Sequence, residues 1–397
     1  MPISHTDTGV GGPGGWVPPT DVERALLEAK SRGDWDGYAR VLAREELFTY
    51  VAKEEQDRTD GKCPPPVFGD PAGGESYAVY TRGALTRMDE LVVRGQQFPP
   101  SPADTRAGGR TGLMVNPHSP VSAFFPYDPG LWQRWEKLAR EAPQRGHDDD
   151  ALLTKYTGPL TGPLAHGLAC GTHLSVHNQV LWNDVGDVFK DYPTDRDILE
   201  SSWDVTDREG WSEQLGYLLR GENSPPHPEF ALNVRNAIVR HYPGRPVDPQ
   251  MWRDVAADNL RDRAASRAAV DTVLEVIGQI LRYEARFRAD GLLPPNGFVT
   301  SALGYDYGRA VNFARWGAGA RYADVWEAEQ AVIRAGELCR ETYTSWTEFS
   351  AGYTLGRALR FDEESFGHMY DSALSPHRIL TTDPASPWLN LPFGQAG

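Results

Sequence analysis

Cysteine is scarce: Cys63, Cys170 and Cys339 are odd in number, far apart, and none belongs to a C-x-x-C pair. Neither a disulfide framework nor a cysteine zinc site is therefore indicated, and a reducing compartment fits. Lysine is almost as rare, with Lys30, Lys53, Lys62, Lys137, Lys155 and Lys190 the whole complement among 40 basic residues. No Lys/Arg-rich stripe interrupts a formal net charge of −15, so the field of the chain repels phosphate backbones and no nucleic-acid partner is expected. No stretch reaches the roughly 18 to 20 apolar residues of a membrane span, and the first twenty residues lack the basic start and apolar segment of a signal peptide. The expected address is the cytoplasm, without membrane contact. The usual catalytic signatures are missing too: there is no G-x-S-x-G, Walker A loop, H-E-x-x-H, kinase signature or zinc-ribbon spacing. Gly9, Gly11 and Gly14 spell G-x-G-x-x-G, but no strand precedes them and Pro13 interrupts.

What is present is a foldable chain of two-domain length, 397 residues with 12 Trp. The pattern predicts a small α+β domain, a mixed sheet with flanking helices, followed by a mainly α-helical domain. Residues 1–19, rich in Gly and Pro, read as a flexible leader; 20–142 as the α+β domain; the polar stretch 143–150 as a linker; and 151–397 as the helical domain. Short β-favouring runs lie at 47–51, 77–80, 113–115 and 121–125, and a Trp-bearing helix follows them. Pairs with capping-box spacing, Thr20/Glu23, Thr206/Glu209, Asp324/Glu327 and Ser345/Glu348, mark helix starts. The stretch 255–289 predicts one long amphipathic helix.

Two segments resemble known families. Leu113-Met-Val-Asn-Pro-His-Ser-Pro, followed by Ala123-Phe-Phe-Pro, is similar to the N-terminal domain of SseB-like bacterial proteins, with His118 where that pattern has glycine. The resemblance implies a non-catalytic module associated with secretion and toxin neighbourhoods. The second half resembles the bacterial domain-of-unknown-function family numbered twelve sixty-six, over roughly residues 150 to 392. The residues that carry this are Trp203-Asp204-Val205, Tyr305-Asp306-Tyr307-Gly308-Arg309, Ser345-Trp346, Tyr353-Thr354-Leu355-Gly356-Arg357 and Ser386-Pro387-Trp388. That family implies a helical fold and no reaction.

Helical spacing places Asp306, Arg309, Phe313 and Trp316 on one side, with Arg315 pointing away. Glu348, Tyr353, Arg357 and Arg360 form a second polar and aromatic face. Asp306, Arg309, Trp316, Glu348, Tyr353 and Arg357 are accordingly the candidate residues for binding an anion or a partner. Converging Arg309 and Arg357 would offer two guanidinium forks to a carboxylate or phosphate. The alternative, which we prefer, is that each arginine ties helices together by pairing with a carboxylate such as Asp306 or Glu348. His166, Cys170, His173 and His177 fall on one helical stripe, too extended for one ion, so no metal and no cofactor is expected. Asp148, Asp149 and Asp150 read as solvated linker acids. No catalytic residue stands out. The expectation is a non-catalytic interaction protein with an unidentified protein partner, against an enzyme or small-anion binder built on the Arg/Asp/Glu cluster.

Overall fold

Thr20 opens the first helix, α1 (Asp21–Ser31), its hydroxyl accepting the Val22 N–H at 3.2 Å. The expected reciprocal box with Glu23 does not form. The fully buried Glu23 carboxylate instead accepts the hydroxyls of Thr20, at 2.5 Å, and of Thr81, because the end of a sheet strand lies against this turn. Gly33, at φ +67°, ends the helix in a conformation that costs glycine little, and Asp34 caps α2 (Trp35–Leu42). The computed structural model describes residues 15–69, 74–100, 111–142, 150–186 and 190–394. The expected leader up to residue 14, and all of the expected linker but Asp150, lie outside the described residues.

Six strands follow: β1 (Leu47–Ala52), β2 (Phe68–Gly69), β3 (Glu75–Thr81), β4 (Leu91–Gln96), β5 (Gly112–Val115) and β6 (Ala123–Phe125). Their order is β4-β1-β3-β5-β6, with β2 on the end of β3; β3 and β5 run parallel and the other pairs antiparallel, so the sheet is mixed as expected. Two strands are missing from the sequence pattern, the two-residue β2 and the longer β4. The apolar run of β4 is only Leu91-Val92-Val93, and this strand owes its length to a six-residue register against β1. Alternation sends Leu47, Tyr77, Val79, Leu113 and Val115 toward α1, α2 and α4 (Pro129–Glu141), where Trp132 and Trp135 close the core. Phe48, Tyr50 and Val93 take the other face with Leu85.

The helical part packs against that sheet. Tyr192, at the start of α7 (Tyr192–Trp203), joins Val51, Cys63 and Val92 in one cluster, and its hydroxyl donates to Asp57, at 2.8 Å, on α3 (Lys53–Thr59). Gly95 N–H donates to Asp191 at 2.7 Å, and Arg321 donates to the carbonyls of Met88 and Leu91 at 3.0 and 2.7 Å. In the other direction, Arg87 donates to the Ala318 carbonyl at 3.0 Å.

The remaining helices are α5 (Gly162–Cys170), α6 (Thr172–His177), α8 (Arg208–Leu219), α9 (Pro226–His241), α10 (Pro249–Asp262), α11 (Arg267–Asp290), α12 (Gly304–Gly319), α13 (Val325–Thr342), α14 (Trp346–Phe361), α15 (His368–Thr382) and α16 (Pro387–Asn390). Every residue of α12 is buried, so this helix is the axis around which α5, α6, α7, α8, α13 and α14 assemble. A second core gathers α9, α10 and α11 against α14 and α15. Three expectations about boundaries change. The long helix over 255–289 is two, because the chain turns after Asp262 through Ala264 at φ +55° and Ser266 caps α11 by accepting the Ala269 N–H. Helix α8 is capped by Asp207 rather than Thr206, the Asp207 carboxylate accepting the Gly210 N–H at 2.9 Å. Ser345 caps α14, but Glu348 reaches back to Thr344 instead of completing the box. Asp324 and Glu327 form a complete box on α13.

The Gly352-x-x-x-Gly356 face of α14 sits against the start of α12. A Cβ on Gly352 would stand 2.5 Å from the Ser301 carbonyl oxygen and one on Gly356 2.5 Å from the Tyr305 Cβ. Gly352→Ala is therefore expected to destabilise the chain by about 1 to 3 kcal/mol, the usual cost of overpacking against backbone. Urea unfolding checks this, and an unchanged midpoint would contradict the contact.

Candidate functional site

The start of α12 holds two of the six candidate residues, Asp306 and Arg309. Asp306, fully buried, accepts the N–H groups of Asn223 and Ser224 at 3.2 and 3.0 Å and the Ser224 hydroxyl at 2.6 Å. One turn on, Arg309 donates to the same carboxylate and to the Tyr305 carbonyl, with its guanidinium 3.9 Å from the Tyr305 ring centroid. Asp306 and Arg309 thus form a clamp on the loop between α8 and α9. The helical face read from the spacing is real: Trp203 of α7 runs along it, 5.5 Å from Arg309, 4.8 Å from Phe313 and 6.3 Å from Trp316. Arg315 points away, to the Ser175 hydroxyl and the Leu181 carbonyl.

Arg309 and Arg357 do not form a common fork. Tyr305 meets Tyr353 edge-on at 5.4 Å, and Tyr353 in turn contacts Arg357, so two phenol rings stand between the guanidinium groups. Arg357 donates to the Ser372 hydroxyl at 2.8 Å, and its buried Nε has no partner among the described residues. No carboxylate forms an ion pair with Arg357 among the described residues, although its charge helps to hold Asp150 below the usual carboxylate range. Glu348 lies nine residues earlier on α14, about 13 Å away along the axis. Its carboxylate accepts Thr300 Oγ1 at 2.6 Å and the Thr344 N–H at 2.7 Å, closing the helix start.

Behind Tyr353 lies a constellation that the sequence pattern did not reveal. The His173 ring stacks on Tyr353 with centroids 4.2 Å apart and planes 6° from parallel. His173 Nε2 is 3.0 Å from the Ser350 hydroxyl, and His377 Nδ1 is 2.8 Å from the same oxygen. A serine has one proton, so it donates to one ring and accepts from the other. Burial pushes His377 down to about 4, with Arg378 adding to the shift, and burial holds His173 well below the usual range as well. Burial likewise pushes the Tyr353 phenol up. Serine beside imidazole is the pairing of an activated nucleophile, but Ser350 has no exposed surface and His173 and His377 almost none. These residues lie 27 and 177 positions from Ser350, so no local spacing could have announced them.

The His/Cys stripe is cut at Gly171 into α5 and α6, and its members have separate partners. His166 meets the Phe393 carbonyl, His173 meets Ser350, and His177 meets Asp150 at 3.2 Å. Asp150 is not a solvated linker acid: its side chain is 6% exposed, and the His177 bond holds it below the usual carboxylate range against the opposing effect of burial. Among the described residues no group of three or more His, Cys, Asp or Glu is disposed to hold a metal ion. Two cavities are also present, the smaller one reaching Gly356 of the motif row. A cleft of about 1160 Å³ opens between the sheet and the helical part, with Arg44, Arg82, Arg140 and Lys190 in its walls. A smaller one lies beside Ser224.

Residues 198–393 match the model of a family described as a protein of unknown function, DUF1266. The match takes in α12, α14 and the Trp203 contact, starts later than the resemblance near residue 150 had implied, and leaves out the sheet. No curated protein and no solved structure matches the chain.

Two outcomes are expected. Arg309→Ala removes the counter-charge of a buried carboxylate and should cost about 3 kcal/mol, the low end for such a break because three donors to Asp306 remain. Arg357→Ala, which breaks no direct ion pair, should cost only about 1 kcal/mol. Urea unfolding of the two variants tests the ranking, and the reverse order would contradict it. For His377, the unfolded ring binds a proton below its ordinary 6.5 while the folded ring refuses it down to about 4. Its contribution is full above pH 6.5 and is lost as pH falls through about 4, amounting to about 3 kcal/mol. Melting temperature should fall between pH 7 and 4, and less steeply in His377→Asn.

Proposed function

We propose that the chain is a non-catalytic interaction protein of the bacterial cytoplasm, an SseB-type sheet module docked on a helical domain and acting through a protein partner. The observation that supports this reading is the closure of the motif row. Asp306, Arg309 and Glu348 are engaged by neighbours within the chain, and Ser350 is sealed between two histidines. A general base or nucleophile has to come within hydrogen-bond reach of its substrate, and Asp306, Arg309 and Ser350 are buried with their polar atoms bonded inside the chain. Trp326, 67% exposed at the start of α13, is the kind of large amphipathic side chain that protein interfaces favour. A second reading, an enzyme or small-anion binder, draws on the basic groups in the wide cleft.

Turnover separates the two. A trace of the purified chain incubated with a deproteinised metabolite extract should leave every metabolite at its starting level by mass spectrometry. A partner recovered by cross-linking should rebuild a complex of fixed stoichiometry from two purified components. Loss of one metabolite with many equivalents of product per chain would overturn the reading.

A further inference from the structure

The smaller cavity, about 180 Å³, lies between the loop that Asp306 clamps, the first turn of α9, and α11 and α14. Its walls include Pro225, Pro226, Val276, Leu303 and Leu359. An apolar cavity of about 150 Å³ admits a benzene-sized molecule, so this one has room for a compact aliphatic body.

Two side chains of opposite charge also line it. Glu229, in the first turn of α9, accepts the Ser301 hydroxyl at 3.0 Å and the Ala302 N–H at 2.9 Å on one oxygen. Its other oxygen receives only a long contact of 3.4 Å from Asn233. No Lys or Arg pairs with it among the described residues, and burial holds its carboxyl above the ordinary range. Arg360, on α14, donates to the Asn223 carbonyl at 3.1 Å and the Asn223 side chain at 3.4 Å, and meets no carboxylate among the described residues. The two charges line one cavity, Glu229 in its wall and the exposed Arg360 at its rim, without forming an ion pair with each other, which leaves each able to take a counter-charge from a ligand.

We propose that this cavity binds a small aliphatic amino acid, its ammonium on Glu229, its carboxylate on Arg360 and its side chain against Val276, Leu303 and Leu359. A zwitterion supplies both missing charges at once, whereas an amine or an acid alone would leave one of them unmatched. The walls are pre-set by the motif residues. Ser224, which lines the cavity, is fixed by Asp306 and Arg309, and Gly356 brings α14 against the other side. This site is independent of the protein-partner reading.

L-leucine and its two halves, 3-methylbutylamine and 4-methylpentanoate, are the probes. Titration calorimetry and thermal shift on the full chain should show saturable binding of L-leucine and weaker binding of either half. Glu229→Gln keeps an acceptor for Ser301 and Ala302, and Arg360→Gln changes an exposed position. Each should weaken L-leucine by about tenfold or more, the worth of one charge-assisted hydrogen bond. Leu359→Trp, which fills the cavity, should abolish binding. Absence of saturable L-leucine binding, binding of a half-molecule as tight as that of the whole, or equal affinity in parent and Gln variants would each overturn the proposal.

Discussion

The complete burial of α12 constrains everything around it. A helix with no solvent face must find a partner inside the protein for each polar side chain it carries, or bear the cost of stranding it. Helix α12 carries Asp306, Arg309, Asn312 and Arg315, and each dictates a neighbour. Asp306 draws the loop before α9 onto the helix; Asn312 donates to the Gly171 carbonyl at the α5–α6 break; Arg315 reaches Ser175 and Leu181. The polar groups of one helix therefore fix the positions of three others, and apolar packing fills the space between them.

Glycine works to the same end. The approach of α14 to α12 at Gly352 and Gly356, and of α5 to α13 at Gly167 and Gly336, leaves no room for a Cβ. Close helices bring rings and hydroxyls into register, so that Tyr353 lies on His173 and Ser350 reaches two imidazoles at once. Buried polar networks of this kind rigidify a core when all members are satisfied. The His173 Nδ1 and Arg357 Nε atoms, buried without partners among the described residues, are where this one falls short.

The order of the architecture was legible because texture changes along the chain, from short β-favouring runs to periods of 3.6 residues. The common face of Arg309, Phe313 and Trp316 was legible for the same reason, since it depends only on helical spacing. What escaped was set by contacts remote in sequence. Strand β4 is recognised by its pairing with β1 and not by its own three apolar residues. Arg357 takes a serine hydroxyl because α15 offers one, and the Glu348 carboxylate belongs to the far end of its own helix. The break between α10 and α11 hid because the residues on both sides are good helix formers, leaving Ser266 as its only local sign.

The bonds by which Arg87 and Arg321 join sheet and helices end on carbonyl oxygens of the main chain. An acceptor of that kind is present whatever side chain its residue bears. On the accepting side of these bonds, Met88, Leu91 and Ala318 can change identity without erasing the acceptor, provided the backbone keeps its course. The donors have less latitude, because both bonds of Arg321 leave one terminal nitrogen, Nη2, and a shorter or uncharged side chain would not place a donor between the two carbonyls. Divergence can thus rewrite much of the surface where the halves meet and still preserve how they are joined, while a single exchange at either arginine would loosen it.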